Sequence, residues 1–462
     1  MLLSLILGGA MALGQPPQVP AFRAPSPALP LHATASSPDL IEASADGWRP
    51  ARSERDADVR LVSARAADDS PEPLNLSVTV PATPKPAAPA AAPAAAPTPR
   101  YFLMSEAQGT WLGAALEQSR MTIYGWTEFS YTASTAQGSN LPMGYNDKGG
   151  EFLVNQNYLH VERTIDTSKN DCQWGFVSET VMPGSDYRYM VARGLFSGQL
   201  TEHNGNAALY GWDPYQMYVQ VFLPDLGPKG TKIELGRFAS HCGYEVSQAP
   251  DTPFMTHTYL FIYNPFTHTG VWAISQLTDA WTVSNGIVTG ADTFIDPANR
   301  PTYIGQAKWA PPTGRASLTL NTVITDNRYD AKEAFAFYNV YEAILTYKFS
   351  DRSSFAADNI YSHIRTAPTG GDTDWFGSAL YWTYQVRSNV ATIIRAEAFK
   401  DTAGFRTGFP GWYTDFTAGI NWKPQPWLIV RPSVRYDHNW DSSPFEGKPD
   451  LFTTALDVIV RW

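Results

Sequence analysis

The sequence predicts an all-β fold: a closed antiparallel transmembrane β-barrel of about 16 strands, preceded by a disordered Pro/Ala-rich N-terminal arm and a short helix. Three observations predict it. From position 121 onward, apolar and polar residues alternate in segment after segment of about ten residues, the length a tilted strand needs to cross hydrocarbon. The connections between these segments are short and long in turn. Aromatic side chains gather at segment ends rather than at centres.

Composition sets the frame. Only 17% of the 462 residues are charged while 13% are aromatic, and the net charge is -10. A nucleic-acid surface needs clustered Lys and Arg, and no basic block occurs, so nucleic acid is excluded as a partner. Residues 1–14, in MLLSLILGGAMALGQPP, are an apolar run with small residues at Ala10, Ala12 and Gly14. They read as a signal peptide that lacks the usual positive start. No later stretch reaches the roughly 20 apolar residues of a spanning helix.

Residues 15–100 end in PATPKPAAPAAAPAAAPTPR and hold almost no aromatics. Such a tract cannot bury enough apolar surface to offset chain entropy, so it is expected to be a disordered linker that serves as a tether and reaches the cell wall. Residues 101–120, with LMSEAQGTWLGAALEQ, read as a short, plug-like helical segment, and 121–462 as the barrel.

Strands are expected at 121–131, 153–164, 172–182, 215–224, 230–238, 268–277, 279–289, 302–310, 315–325, 338–349, 354–363, 374–386, 390–399, 412–423, 427–437 and 451–462. In each, β-branched and aromatic residues alternate with polar ones between clusters of Gly, Pro, Asn and Asp. The last, LFTTALDVIVRW, has one face of Phe452, Thr454, Leu456, Val458, Val460 and Trp462. Its other face carries Asp457 and Arg461. A period of two between oil and water is that of a strand.

DTSKND, LPDLGPKG, QLTDA, APPTG, FSDRS, VRSN and WKPQPW are short turns, whereas 183–214, 239–267, 290–301, 326–337, 364–373, 400–411 and 438–450 are longer. Short turns at one end and long loops at the other are the habit of outer-membrane barrels. Trp309, Phe349, Tyr384, Trp422, Trp427 and Trp462 fall beside the short turns, and Tyr361, Phe399, Trp412, Tyr436 and Phe452 toward the long loops. These are expected to form two girdles in contact with membrane lipid. An unpaired backbone group in hydrocarbon costs several kcal/mol, so the last strand must pair with the first.

YGWTEFSYT (124–132), FLVNQNYLHVER (152–163), LGRFASHCGYE (235–245) and TYLFIYNPFTHTGV (258–271) resemble the OmpL-like β-barrel porin family, from about residue 102 to the end. The resemblance implies a sixteen-stranded porin-type barrel and passage of small hydrophilic solutes or ions. Porins of this size are often trimers, so a homotrimer is expected, with no subunit face marked in the sequence. Two other readings are an envelope anchor or adhesin and a secreted carbohydrate-binding β protein.

Alternation points Glu342, Arg395, Glu397, Asp415, Arg431, Arg435, Asp437, Asp457 and Arg461 into the bore, together with Lys348, Asn421 and Lys423. Leu428, Val430, Pro432, Val434 and Tyr436 point to lipid. Charges of both signs on a wet wall give a weak ion preference. The third long loop holds Glu245 and Asp251, expected to face Arg395, Arg431 and Arg435 at a constriction.

No catalytic residue, metal site or cofactor is expected. His241 and Cys242 are adjacent but lack a further ligand at a metal or catalytic spacing. Cys172 and Cys242 belong to opposite ends of a wall about 25 Å tall, too far apart for a disulfide. Strands two, three and five alternate poorly, with Asn155 and Asn157 on the side of Leu153 and Leu159.

Overall fold

The structure, a computed structural model, describes residues 102–202, 206–295, 300–329, 337–369 and 371–462. The signal peptide and the arm expected over 1–14 and 15–100 lie outside them. Sixteen strands, β1 (Met121–Ser134) to β16 (Asp450–Arg461), pair antiparallel with their chain neighbours and close into one barrel through β1 and β16. The seam runs from Trp126 opposite Arg461 to Ser134 opposite Thr453. Trp462 extends it, exchanging two 2.9 Å backbone hydrogen bonds with Gly125. No edge is left bare, as hydrocarbon requires.

Apolar side chains cover the outside. On β15 (Leu428–Asn439) Pro432, Val434 and Tyr436 are exposed while Arg431, Ser433, Arg435 and Asp437 are buried, and β14 (Gly411–Gln425) and β16 alternate the same way. Tyr361, Trp412, Tyr436 and Phe452 are exposed near the long loops, and Phe349, Tyr384, Trp422 and Trp427 near the short turns. Phe399 departs from the expected girdle. It shares the phase of Arg395 and Glu397 on β13 (Val390–Asp401), is fully buried, and packs on Tyr259 and Tyr263.

Further expectations are corrected. The segment 364–373 is not a long loop: β11 (Ser353–Ala367) and β12 (Gly371–Arg387) are long strands that continue pairing to Ala367 opposite Gly371. In β2 (Phe152–Arg163), Asn155 and Asn157 do not share a face, because the pairing with β1 slips between Glu128 and Phe129. This bulge lets Asn155 and Gln156 both point inward and reverses the alternation beyond them. Met121 follows two helices, α1 (Phe102–Ala107) and α2 (Trp111–Ser119), in place of one expected helix. Their only buried residue is Gly113, so they do not fill the bore.

Candidate functional site

The bore is occupied by the third outer loop, residues 240–266, between β5 (Thr231–Ala239) and β6 (Thr267–Gln276). Every residue of it is buried except Tyr244 and Asp251. A loop taken out of water must find partners for its backbone groups, and the barrel wall supplies them. Glu342 accepts from the Gly243 N–H at 2.9 Å, and Asp358 from the Tyr244 N–H at 3.1 Å. Glu397 accepts from the N–H groups of Tyr259 and Leu260 at 2.8 and 2.7 Å. Arg431 donates to the carbonyls of Ala249 and Thr252, both at 2.7 Å, Arg395 to that of Thr256 and Arg435 to that of His257.

The side chains of the wall also neutralise one another. Arg395 lies between Glu245 of the loop at 3.0 Å and Asp415 at 2.8 Å. Arg431 bridges Glu128 at 3.0 Å and Asp457 at 2.7 Å, and Arg435 pairs with Asp437 at 2.6 Å. Glu245 additionally accepts from the Tyr381 hydroxyl and the Thr258 N–H, and shares 2.7 Å with His257 Nδ1. Burial alone would raise the Glu245 carboxyl, but the Arg395 charge and the His257 hydrogen bond outweigh it and hold it at about 2. Burial leaves His257 below its ordinary value, so Glu245 is paired with Arg395 as its cation and with His257 as a neutral donor.

Glu342, Arg395, Glu397, Asp415, Arg431, Arg435, Asp437 and Asp457 therefore all point inward, but the loop covers them, and none is more than 5% exposed. Arg461 is half-buried. Glu245 meets Arg395; Asp251 makes no ion pair among the described residues. It is instead the exposed side chain of the loop, held in the field of Arg461, Lys423 and Arg431. Glu128 and Asp358 belong to the same network and were absent from the sequence reading, although the alternation of Trp126, Glu128 and Ser130 in β1 carries the signal for the first.

Ring contacts join the first three outer loops. Tyr145 of the first outer loop stacks on Tyr189 of the second at 4.7 Å and meets His257 and Phe261 of the third at 4.6 and 5.6 Å. Arg188 pairs with Asp147 at 2.7 Å across the first two loops. Beneath them the Asp186 carboxyl accepts from Asn155 and Gln156, and burial pushes it up to about 7. Cys172 is exposed and Cys242 buried, and no disulfide joins them.

A closed sixteen-stranded antiparallel barrel with an apolar exterior, a charged interior and an inward-folded third loop defines a porin-type outer-membrane protein. The family described as "Putative beta-barrel porin-2, OmpL-like" matches residues 120–462, and the chain belongs to it. Its location is the outer membrane. No curated protein matches the sequence.

Among solved structures, Pseudomonas putida OprB at high pH is similar with 13% identity and a TM-score of 0.50, over 76% of this chain and 96% of that one. An anion-selective porin from Comamonas acidovorans is similar with 11% identity and a TM-score of 0.49, over 74% and 99%. The outer membrane channel DcaP of Acinetobacter baumannii is similar with 11% identity and a TM-score of 0.48, over 74% and 97%. Family and fold are those of a channel rather than of an enzyme.

Proposed function

We propose that this protein is a passive diffusion channel for small hydrophilic solutes or ions, with its aperture set by the third outer loop. The observation that carries the reading is the inner face of the barrel, which is polar and charged where the outer face is apolar. In this reading Glu245 fixes the loop to the wall and Asp251, with Lys423 and Arg461 opposite, lines the water-filled part of the path. Glu342, Arg395, Glu397, Asp415, Arg431, Arg435, Asp437 and Asp457 act at the aperture by seating the loop. The channel works as a homotrimer, which light scattering of the detergent-solubilised protein tests.

Planar-bilayer recording of the purified full chain tests conduction. Discrete conductance steps that scale with salt concentration are expected. The buried wall and the packed outer loops favour a second reading, an envelope anchor whose barrel carries no flux. A chain that inserts into liposomes yet gives neither current nor swelling in sugar solutions would establish that second reading.

A further inference from the structure

The two helices before the barrel leave their apolar side chains uncovered. α1 exposes Phe102 and Leu103; α2 exposes Leu112 and, at 83%, Trp111. At 100° per residue, Trp111, Leu112, Ala115 and Leu116 share one side of α2 and Glu117 lies on the other. A stable helix hides such a stripe. Helices of 6 and 9 residues are also shorter than the ~12–15 needed to stand alone in water.

Their position points to the partner. Arg120, in the left-handed conformation at φ 57, ends α2 and turns the chain into β1. Its carbonyl accepts from the Thr164 N–H at 3.1 Å, and its guanidinium donates to Gln173 at 2.6 Å. Thr164 and Gln173 flank the short turn between β2 and β3 (Gln173–Gly184), so α2 is pinned to the rim at the short-turn end. On that rim Trp174, Leu226, Leu277, Trp281 and Trp427 are exposed as well. The helix thus starts from the rim where these apolar side chains lie, and nine residues span only ~14 Å from it.

We infer that α1 and α2 form an interfacial anchor that lies in the periplasmic leaflet beside the barrel, with Phe102, Leu103, Trp111 and Leu112 among the lipid chains. Indole rings favour the headgroup boundary, and a helix with its Trp and Leu side chains on one side and polar residues on the other can lie in that plane. A second copy of the segment is a poorer partner. Nine residues cannot supply the ~1,000 Å² that a stable protein interface needs.

The test uses the full chain with Cys172→Ser, in which Cys242 is buried and does not label. Leu112→Cys and, separately, Glu117→Cys are folded in detergent, tagged there with a bimane fluorophore and reconstituted into phosphatidylethanolamine/phosphatidylglycerol vesicles. The heat-modifiable band on a gel verifies the barrel. Lipids with a nitroxide high on the acyl chain are expected to quench the tag at position 112 several-fold more than at position 117. Equal quenching at the two positions, or none at 112, overturns the anchor. So does self-quenching of the 112 tag that grows with protein concentration in detergent, which would assign the face to a second copy.

Discussion

Glu245, on a loop, lies 3.0 Å from Arg395 on β13, and both side chains are cut off from solvent. A charge buried in this way needs its partner. Removing one side of such a pair costs about 3–5 kcal/mol, more than most loop contacts return. Glu245→Gln keeps the shape but leaves Arg395 with Asp415 alone. We expect the third loop to loosen, with larger and noisier single-channel steps and faster proteolysis within 240–266. Unchanged conductance together with unchanged protection would show that the pair does not hold the loop.

The same contact sets a pH window. The carboxyl of Glu245 is depressed to about 2 from an unfolded value of 4.5. Its stabilisation is therefore complete above 4.5, declines below it, and is gone once pH falls through 2. Loop protection measured by protease should stay constant from pH 8 to 5 as far as this contact is concerned. Loss of protection confined to the neutral range would point to another group.

Asp186 has the opposite sign. Burial raises its carboxyl from 3.8 to about 7, so the folded chain holds the proton more tightly than the unfolded one. The stability it contributes is complete below pH 3.8 and is lost as pH rises through 7. Asp186→Asn should make the detergent-folded barrel more resistant to urea at pH 8 and leave it little changed at pH 4. The slope of stability between these pH values should flatten. An identical slope in the variant would place the proton elsewhere.

The barrel was legible because its cause is local. A strand between lipid and water must alternate, and β14, β15 and β16 do so residue by residue. Loop burial has a non-local cause. Nothing beside Glu342 in the chain reports that it accepts from Gly243, which lies 99 positions away. Alternation could point Arg431 inward but could not distinguish a wet wall from one covered by Ala249 and Thr252. The slip opposite Asn155 is equally hidden from the sequence, since a bulge is a property of two paired strands. Phe399 faces inward for a simpler reason: its phase along β13, and not its aromatic character, sets its side.

Glycine supplies a further test of the loop seat. At Gly419, on the inner face of β14, an added Cβ would come within 2.8 Å of both the Phe254 ring of the third loop and the Pro432 carbonyl oxygen of β15. Gly419→Val therefore pushes Phe254 away or strains β14, an overpacking that costs about 1–3 kcal/mol. Increased conductance at preserved heat-modifiability is the expected result. Phe254→Ala in the same background should restore the part of the lost stability that comes from the ring, while the clash with the Pro432 carbonyl on the neighbouring strand remains.

The seam carries the last prediction. Gly125 sits under the Trp462 ring, and an added Cβ there would clash with the Tyr158 carbonyl oxygen and with the ring. The ring also donates from Nε1 to Thr127 at 3.2 Å, next to the two backbone bonds that bring the terminal residue alongside β1. Gly125→Val must displace Trp462, leaving backbone groups at the inner-leaflet end of the seam without partners in a medium that offers none. Folding yield in detergent should fall, and the surviving barrel should lose its compact gel mobility at a lower temperature. Trp462→Ala on its own should be milder, since it keeps the backbone pair and gives up one hydrogen bond and a ring. If both variants fold and melt like the parent, the Trp462 cap contributes nothing to closure.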